Sequence, residues 1–305
     1  MRLVLGRLAG AAGVVLAVTA TAWLLLVVLR PDLFPPDPRS LPVRLGETMW
    51  DAARFRFGQS TELRGRPDAA AVLRAGVPVD LQLLLGGIAC GLALGIGTAV
   101  ACAGQPDGPL AQVAGAVAIV AQCVPVYVVG LFLLLTFGER IGTAGLPVGI
   151  PLQYVELGEG GPVRWLAAIA APWIVLALPL AGITFRMMRG SMREAGGEDF
   201  LLAARAKGVG PAALRLRHQG RFALAPTLSL AGAATNATII NLAIVERVFG
   251  APGSFRVLDT AVGSADVGLL IGLTVLTATY VTLGSLAVDL VLRRVDPRTA
   301  AGIRA

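Results

Sequence analysis

Six uninterrupted apolar windows limit what this chain can fold into. Each lacks Asp, Glu, Lys and Arg and is at least 21 residues long: 8–29, 81–106, 108–138, 165–185, 222–245 and 267–288. A helix needs about 20 apolar residues to cross the hydrocarbon core of a bilayer. Charged residues make up only 15% of the chain, so a soluble fold would leave too much apolar surface in water. The sequence predicts an all-α, polytopic membrane protein with six transmembrane helices.

The first window resembles a signal peptide in one respect, because Arg2 and Arg7 precede or flank it. Its apolar run is longer than the 7–15 residues of a signal-peptide core. We therefore predict that residues 1–29 are retained as the first transmembrane helix. The Gly- and Pro-rich stretch 141–155 is too short for a span and is predicted to be a loop or a re-entrant segment.

The distribution of basic residues predicts the orientation. The loop 186–221 carries eight basic residues and the stretch after 288 carries four, and short basic loops stay in the cytoplasm. Both termini are therefore placed inside. The segment 30–78 is predicted to be extracytoplasmic, 79–298 to form a core of five transmembrane helices, and 299–305 to be a cytoplasmic tail.

The composition excludes several classes of function. His218 is the only histidine, and Cys90, Cys102 and Cys123 show no metal-binding spacing, so neither a zinc site nor a Ser–His–Asp triad is predicted. The only lysine, Lys207, does not lie in a phosphate-binding loop. The net charge of +7 comes without interleaved aromatic residues, which argues for membrane lipid rather than nucleic acid as partner. We predict no catalytic residue, metal ligand or cofactor in this chain.

The basic loop 186–221 is predicted to form two short helices around a glycine turn. Glu198 and Asp199 favour a helix start, Gly208 favours its end, and Pro211 fits the first turn of the second helix. The loop could simply contact anionic head groups, or it could dock another protein, since small residues permit close approach. The candidate docking residues are Glu198, Asp199, Ala203, Ala204, Arg205, Lys207, Gly208, Pro211, Arg217 and His218.

This loop carries a family resemblance. Residues 198–208 (EDFLLAARAKG) resemble the EAA loop of ABC importer permeases, specifically of the oligopeptide/dipeptide/nickel permease family. Further similar groups, in the same order, are FGQS at 57–60 with GRP at 65–67, Arg217, His218, Arg221 and Pro226, ERVF at 246–249 with Pro252 and Gly253, and Asp289 with DPR at 296–298. The chain departs from the pattern at Leu202, which replaces a glutamate, at Gly210–Pro211 and at Gly220, which should interrupt the second helix.

The resemblance implies an inner-membrane permease of the type I importer fold. It implies a second, similar permease chain, two ATPase subunits that hold ATP and Mg²⁺, and an extracytoplasmic substrate-binding protein. The implied cargo is a peptide or a similar small polar solute. The alternative is a secondary transporter or channel that acts without an ATPase, although we find neither inverted repeats nor charged residues within the six windows.

Polar residues inside the predicted spans are candidates for a translocation path or gate. The candidates are Gln122, Tyr127, Asn236, Asn241 and Glu246. Gln122 and Tyr127 flank Pro125, where a kink is expected. Asn236 and Asn241 could equally make hydrogen bonds between helices, and Glu246 is expected at the outer interface. Asp80, at the start of the second window, is expected to be an interface residue.

Overall fold

The computed structural model describes residues 2–34, 36–138, 152–156 and 161–295. Within these ranges the chain is helical, with one isolated antiparallel bridge between Gln59 and Asp68. The α-helices are α1 (Arg2–Leu29), α2 (Leu41–Ala53), α3 (Ala69–Cys102), α4 (Pro109–Cys123), α5 (Val126–Phe137), α6 (Gly161–Ala195), α7 (Asp199–Ala206), α8 (Pro211–Ala213), α9 (Gly220–Phe249), α10 (Leu258–Gly263) and α11 (Val267–Val295). The DPR group at 296–298, the tail 299–305 and most of 141–155 lie outside the described residues.

Five helical segments are long and apolar enough to cross a membrane: Gly6–Leu29, Ala69–Cys102, Gly161–Ala195, Pro211–Phe249 and Val267–Val295. The predicted all-α, polytopic fold is therefore confirmed. The helices extend beyond the charge-free windows, so that Asp80 lies within α3 and Arg186 within α6. A charged residue ends an apolar window, but it does not end a helix that continues into water or packs against protein.

In the third window, where a kink was expected at Pro125, the helix is completely broken. Its two halves, α4 and α5, meet at an angle of 103°. Val124 is extended (φ −78°, ψ 125°), as the residue before a proline prefers, and Pro125 is the N-cap of α5. Neither half is long enough to cross the bilayer alone. The six predicted spans are thus five long helices and one broken pair.

The chain divides into two compact units, the first formed by residues 1–81 and 252–286. Its apolar core contains Trp23, Ala52, Ile271 and Val275. Asp80 is fully buried here (0% exposed), and its two carboxylate oxygens accept hydrogen bonds from the Ser254 backbone N–H at 2.9 Å and the Tyr280 hydroxyl at 2.8 Å. Asp80 is therefore a buried structural carboxylate, not the interface residue expected from the sequence.

A second carboxylate binds the extramembrane part of the same unit together. Asp266 is 1% exposed. Its Oδ2 accepts hydrogen bonds from the Ser60 hydroxyl at 2.6 Å and the Thr61 backbone N–H at 2.9 Å, and its Oδ1 accepts one from the Leu269 N–H at 3.1 Å. This contact fixes the segment before α3 against the start of α11.

The second unit comprises residues 82–251 and 287–305. The part of α3 within it packs on α6 through glycines spaced four residues apart. A Cβ atom on Gly87, Gly91 or Gly95 would lie 2.8, 3.0 or 1.8 Å from the nearest side-chain atom of Leu176, Leu180 or Thr184, respectively. Small residues at this spacing let membrane helices approach closely, and our sequence analysis did not single them out.

Contacts at the two ends of this unit agree with alternating spans. At one end, Arg193 pairs with Asp107 in the α3–α4 loop at 2.5 Å. At the other end, the Tyr154 hydroxyl contacts Gln82 Oε1 at 3.1 Å and its backbone N–H donates to the Phe249 carbonyl at 3.0 Å. The α3–α4 loop around 107 therefore lies at the same end as the loop 186–221, as alternating spans require.

Candidate functional site: the hairpin between α6 and α9

The hairpin comprises residues 198–219. Its first helix, α7, begins at the acidic pair Glu198 and Asp199, as the sequence predicted. Glu198 is its extended N-cap (φ −77°, ψ 141°) and Asp199 its first helical residue. Glu198 makes no side-chain capping hydrogen bond, so the two carboxylates act on the helix start only through their charge.

The turn after α7 depends on Gly208. Lys207 is the C-cap, and Gly208 adopts the left-handed conformation with φ +75°. The Gly208 N–H donates to the Arg205 carbonyl at 2.9 Å and the Val209 N–H to the Ala204 carbonyl at 3.2 Å. These two bonds form a Schellman motif, which strongly favours glycine at this position. Gly210 then caps α8, which starts at Pro211 as expected.

The second half of the hairpin runs without a break into the membrane-spanning helix. Residues Leu214–Gln219 form a π-helical segment between α8 and α9, and the whole stretch Pro211–Phe249 is helical. The expectation that Gly220 interrupts the helix is therefore wrong. Gly220 is buried, and its N–H donates to the Arg215 carbonyl. The helix widens to a π-helical turn before Gly220 and continues beyond it.

The inner face of the hairpin is a small apolar cluster. Its buried members are Ala195, Leu201, Ala204 and Leu214, with Val209 partly buried against them. Ala204 therefore packs inward and stabilises the hairpin, whereas Ala203 is exposed. Of the two alanines predicted to allow close approach, only Ala203 is available to a partner.

The outer face of the hairpin combines apolar and basic side chains. Phe200, Leu202 and Leu216 are 40%, 53% and 61% exposed, and Phe200 lies 5.8 Å from Phe222, ring centroid to centroid. The exposed charged residues are Glu198, Asp199, Arg205, Lys207, Arg217 and Arg221. Pro211 is also exposed and His218 is half-buried. Leu202, where the family resemblance leads one to expect glutamate, adds an exposed apolar group to this face.

Three arginines connect the base of the hairpin to the α3–α4 loop. Arg189 and Arg193 each donate a 2.7 Å hydrogen bond to the Pro106 carbonyl oxygen. The guanidinium of Arg215 lies directly against Gly104, where a Cβ would come within 2.3 Å of it. A displacement of the hairpin would therefore also reach the ends of α3 and α4.

The candidate path residues are spread over three helices. Asn236 and Asn241 are half-buried in α9, and their side-chain amides make no hydrogen bond within the ranges that the structure describes. Tyr127 is 47% exposed at the start of α5. Gln122 packs beside Gly182 and donates to the Ala118 carbonyl at 2.8 Å within its own helix.

Glu246 lies near one end of α9, and its side chain is buried within the protein. It is 1% exposed, and it lies in the last turn of α9, which ends at Gly250 in the left-handed conformation. The α5 helix packs beside it, since a Cβ on Gly130 would approach Val248 within 2.9 Å. Across the described ranges, no cluster of three His, Cys, Asp or Glu residues is arranged to hold a metal ion.

Long apolar helices, two of which are joined by a short helical hairpin, define a multi-pass helical membrane protein. Residues 91–301 match the family model described as the binding-protein-dependent transport system inner membrane component. The chain belongs to this family and is an inner-membrane permease component of a binding-protein-dependent transport system. The resemblance drawn from the EAA-like loop is thereby confirmed.

Individual relatives agree with the family match. The chain is 28% identical over 290 residues, covering 94% of this chain and 88% of the relative, to a probable peptide ABC transporter permease protein from Sinorhizobium fredii. It is 24% identical, over 80% of this chain and 74% of the relative, to the dipeptide transport system permease protein DppB of Bacillus subtilis. A crystal structure of an amino acid ABC transporter with histidines shares the fold, with a TM-score of 0.50, 18% identity and coverage of 73% of this chain and 94% of that one.

Proposed function

We propose that this chain forms, with a second similar permease chain, the translocation path of an ATP-driven importer for peptides or similar small polar solutes. The hairpin at 198–219 receives the movement of an ATPase subunit. The observation that carries the proposal is that the hairpin continues as a helix into α9 and packs against the end of α6 through Ala195. ATP and Mg²⁺ belong to two ATPase partners, which is supported by the missing phosphate-binding loop in this sequence. The names of the relatives support peptides as cargo.

Coupling requires that the hairpin move as one body. The buried cluster around Leu201 and the Schellman turn at Gly208 hold α7 against the start of the second helix. That helix continues into α9, and α6 enters the hairpin through buried Ala195. ATPase closure would then rotate or shift α6 and α9 together and bias the bundle between two states. We place the contact with the ATPase on the outer face around Phe200, Leu202 and Ala203.

The path would run along α9. Asn236 and Asn241 present half-buried amides without a partner in the described part of this chain, and in lipid an unpaired amide is costly. A water-filled path between two permease chains would supply hydrogen-bonding partners to the amide that faces it. Glu246, Gln122 and Tyr127 would lie nearer its outer part and its wall.

The binding protein would meet the segment 30–78 on the outer side. There α2 is amphipathic, and Trp50 is 60% exposed with the Arg54 guanidinium 3.9 Å above its ring. The Arg39 guanidinium lowers the pKa of Asp37 to about 2 through hydrogen bonds and charge. Asp37 and Arg39 therefore remain ionised at any pH at which a cell imports solutes.

Site-directed cross-linking tests the docking surface. In a background with Cys90, Cys102 and Cys123 replaced, Ala203→Cys should cross-link to a co-expressed ATPase subunit, because Ala203 is exposed. Ala204→Cys is the matched control, since Ala204 is buried (7% exposed) and a cysteine at this position should remain unlinked. Equal yields from the two variants, or no link from Ala203→Cys, would contradict the proposed contact.

Reconstitution into lipid vesicles distinguishes an ATP-driven importer from a secondary transporter. Vesicles that contain the purified assembly should accumulate peptide only with ATP and the binding protein, and vanadate should stop uptake. Uptake driven by a proton gradient in vesicles that hold this chain alone would identify a secondary transporter instead.

A further inference from the structure

A groove between α4 and α6 lies close to the hairpin but is not part of its outer face. Its volume is about 480 Å³. The groove is lined on one side by Gly115 and Ile119 of α4, and on the other by five residues of α6: Phe185, Arg186, Arg189, Gly190 and Arg193. These five residues belong to one stretch of α6, at the point where its apolar window ends.

The groove has a strongly positive end. Three of its lining residues are arginines and none is acidic; the one carboxylate that pairs with them is that of Asp107, bound to Arg193. Arg186 is exposed and makes no hydrogen bond within the described ranges. The Nε atom of Arg189 is buried and also lacks a partner among the described residues, and a buried donor without an acceptor is unfavourable.

The other end of the groove is apolar and open. Ile119, which lines it, is 54% exposed. Gly115 leaves a depression in this surface, with the Arg189 guanidinium 3.3 Å from where its Cβ would be. A long apolar chain can lie against α4 while its polar end meets the arginines.

We propose that this groove is a binding site for one anionic phospholipid. Its phosphate would be held by Arg186, Arg189 and Arg193, and an acyl chain would extend past Gly115 toward Ile119. Basic pockets between helices at the level of the head groups bind anionic lipids in this way. A free phosphate ion would satisfy the arginines but would leave the apolar wall uncovered, which is why the lipid is the better fit.

The lipid would also have a structural effect. Arg189 and Arg193 both bind the Pro106 carbonyl oxygen, so a phosphate shared between them would fix the α3–α4 loop against α6. The proposal does not depend on the transported solute, and its test requires no transport measurement.

Lipid retention provides that test. The full chain, isolated with the subunits that remain bound in mild detergent, is exposed to phosphatidylglycerol or phosphatidylcholine, and bound lipid is counted by native mass spectrometry. We expect one phosphatidylglycerol retained in preference to phosphatidylcholine. Arg186→Gln should weaken that binding about fivefold, since one basic residue near an anionic surface contributes about 1 kcal/mol.

Arg164→Gln is the matched control, because Arg164 is an exposed arginine at the opposite end of the same helix; it should retain phosphatidylglycerol as the parent does. Equal retention of the two lipids, or no effect of Arg186→Gln, would overturn the proposal. Displacement of the bound lipid by millimolar glycerol phosphate would show an anion site without lipid selectivity, and would also overturn it. A partner chain captured in the groove by a thiol-reactive photo-cross-linker on Arg186→Cys, with no lipid present, would do the same.

Discussion

The hydroxyl of Tyr280 donates a 2.8 Å hydrogen bond to the buried carboxylate of Asp80, a residue 200 positions away in the sequence. The other oxygen of the same carboxylate accepts from the Ser254 N–H at 2.9 Å. One acidic side chain thus joins α3, the connection after α9 and α11 within a single compact unit. Both oxygens are satisfied, which is what makes a carboxylate tolerable in this apolar surrounding.

Replacing Asp80 with alanine should destabilise the protein. The Tyr280 hydroxyl and the Ser254 N–H would both lose their acceptor, and the expected loss in free energy of unfolding is about 3 kcal/mol. Tyr280→Phe removes only one bond and should cost less. The measurement is thermal unfolding of the purified protein by tryptophan fluorescence. Asp51→Ala, at an exposed position, serves as the control, and an unchanged melting temperature for Asp80→Ala would contradict the structural role.

Gly208→Ala should lower solute uptake more than Gly210→Ala, although the two glycines are only two residues apart. Both have open space for a methyl group, but Gly208 has φ +75° and Gly210 has φ −62°. A side chain in the left-handed region costs about 1–2 kcal/mol, which loosens the hairpin. We expect solute uptake to fall for Gly208→Ala at a normal membrane level, and to remain near the parental rate for Gly210→Ala. Equal uptake by the two variants would refute the requirement for a closed turn.

Two glycines on α3 provide a similar contrast. A Cβ at Gly95 would lie 1.8 Å from Thr184 Oγ1 and 2.7 Å from the Ala181 carbonyl oxygen, whereas Gly97 has nothing within 4 Å. Gly95→Val should therefore separate α3 from α6, at a cost of about 1–3 kcal/mol or more, and Gly97→Val should be tolerated. The yield of monodisperse protein on size exclusion is the readout. If Gly95→Val purified as well as Gly97→Val, the close approach of the helices would be wrong.

Substitutions of Asn236 can show whether its side chain lines the translocation path or makes a hydrogen bond to another helix. If its amide lines the path, Asn236→Ala changes the KM of uptake and leaves the melting temperature unchanged, and Asn236→Gln restores the KM in part. If it bonds to another helix, Asn236→Ala lowers stability by about 0.6 kcal/mol and leaves the KM unchanged. We expect the first result, because this side chain is half-buried and has no partner in the described part of the chain.

Several features could be predicted from the sequence because their causes are local. The apolar windows predicted the spans, since each is decided by its own residues and by the thickness of the bilayer. Gly208 and Pro211 predicted the ends of the hairpin helices, because φ preference and a missing N–H act within one turn. The four-residue spacing of Gly87, Gly91 and Gly95 was equally visible, but spacing alone does not reveal which helix packs on it.

Other features depend on residues far apart. Asp80 and Glu246 were expected near interfaces because each adjoins the end of an apolar window; their burial follows from neighbouring segments that the windows do not identify. Gly220 was expected to break a helix, and the π turn with burial of Gly220 keeps it continuous instead.

Residue by residue, the sequence determined that this protein is a helical membrane protein with a basic hairpin, because hydrophobicity and helix-end preferences act over a few residues. Only the tertiary structure decided that Ala204 faces inward while Ala203 faces out, and that the third span is two helices at 103°. Which side of a helix is covered depends on what packs against it, and that contact is made by parts of the chain distant in sequence.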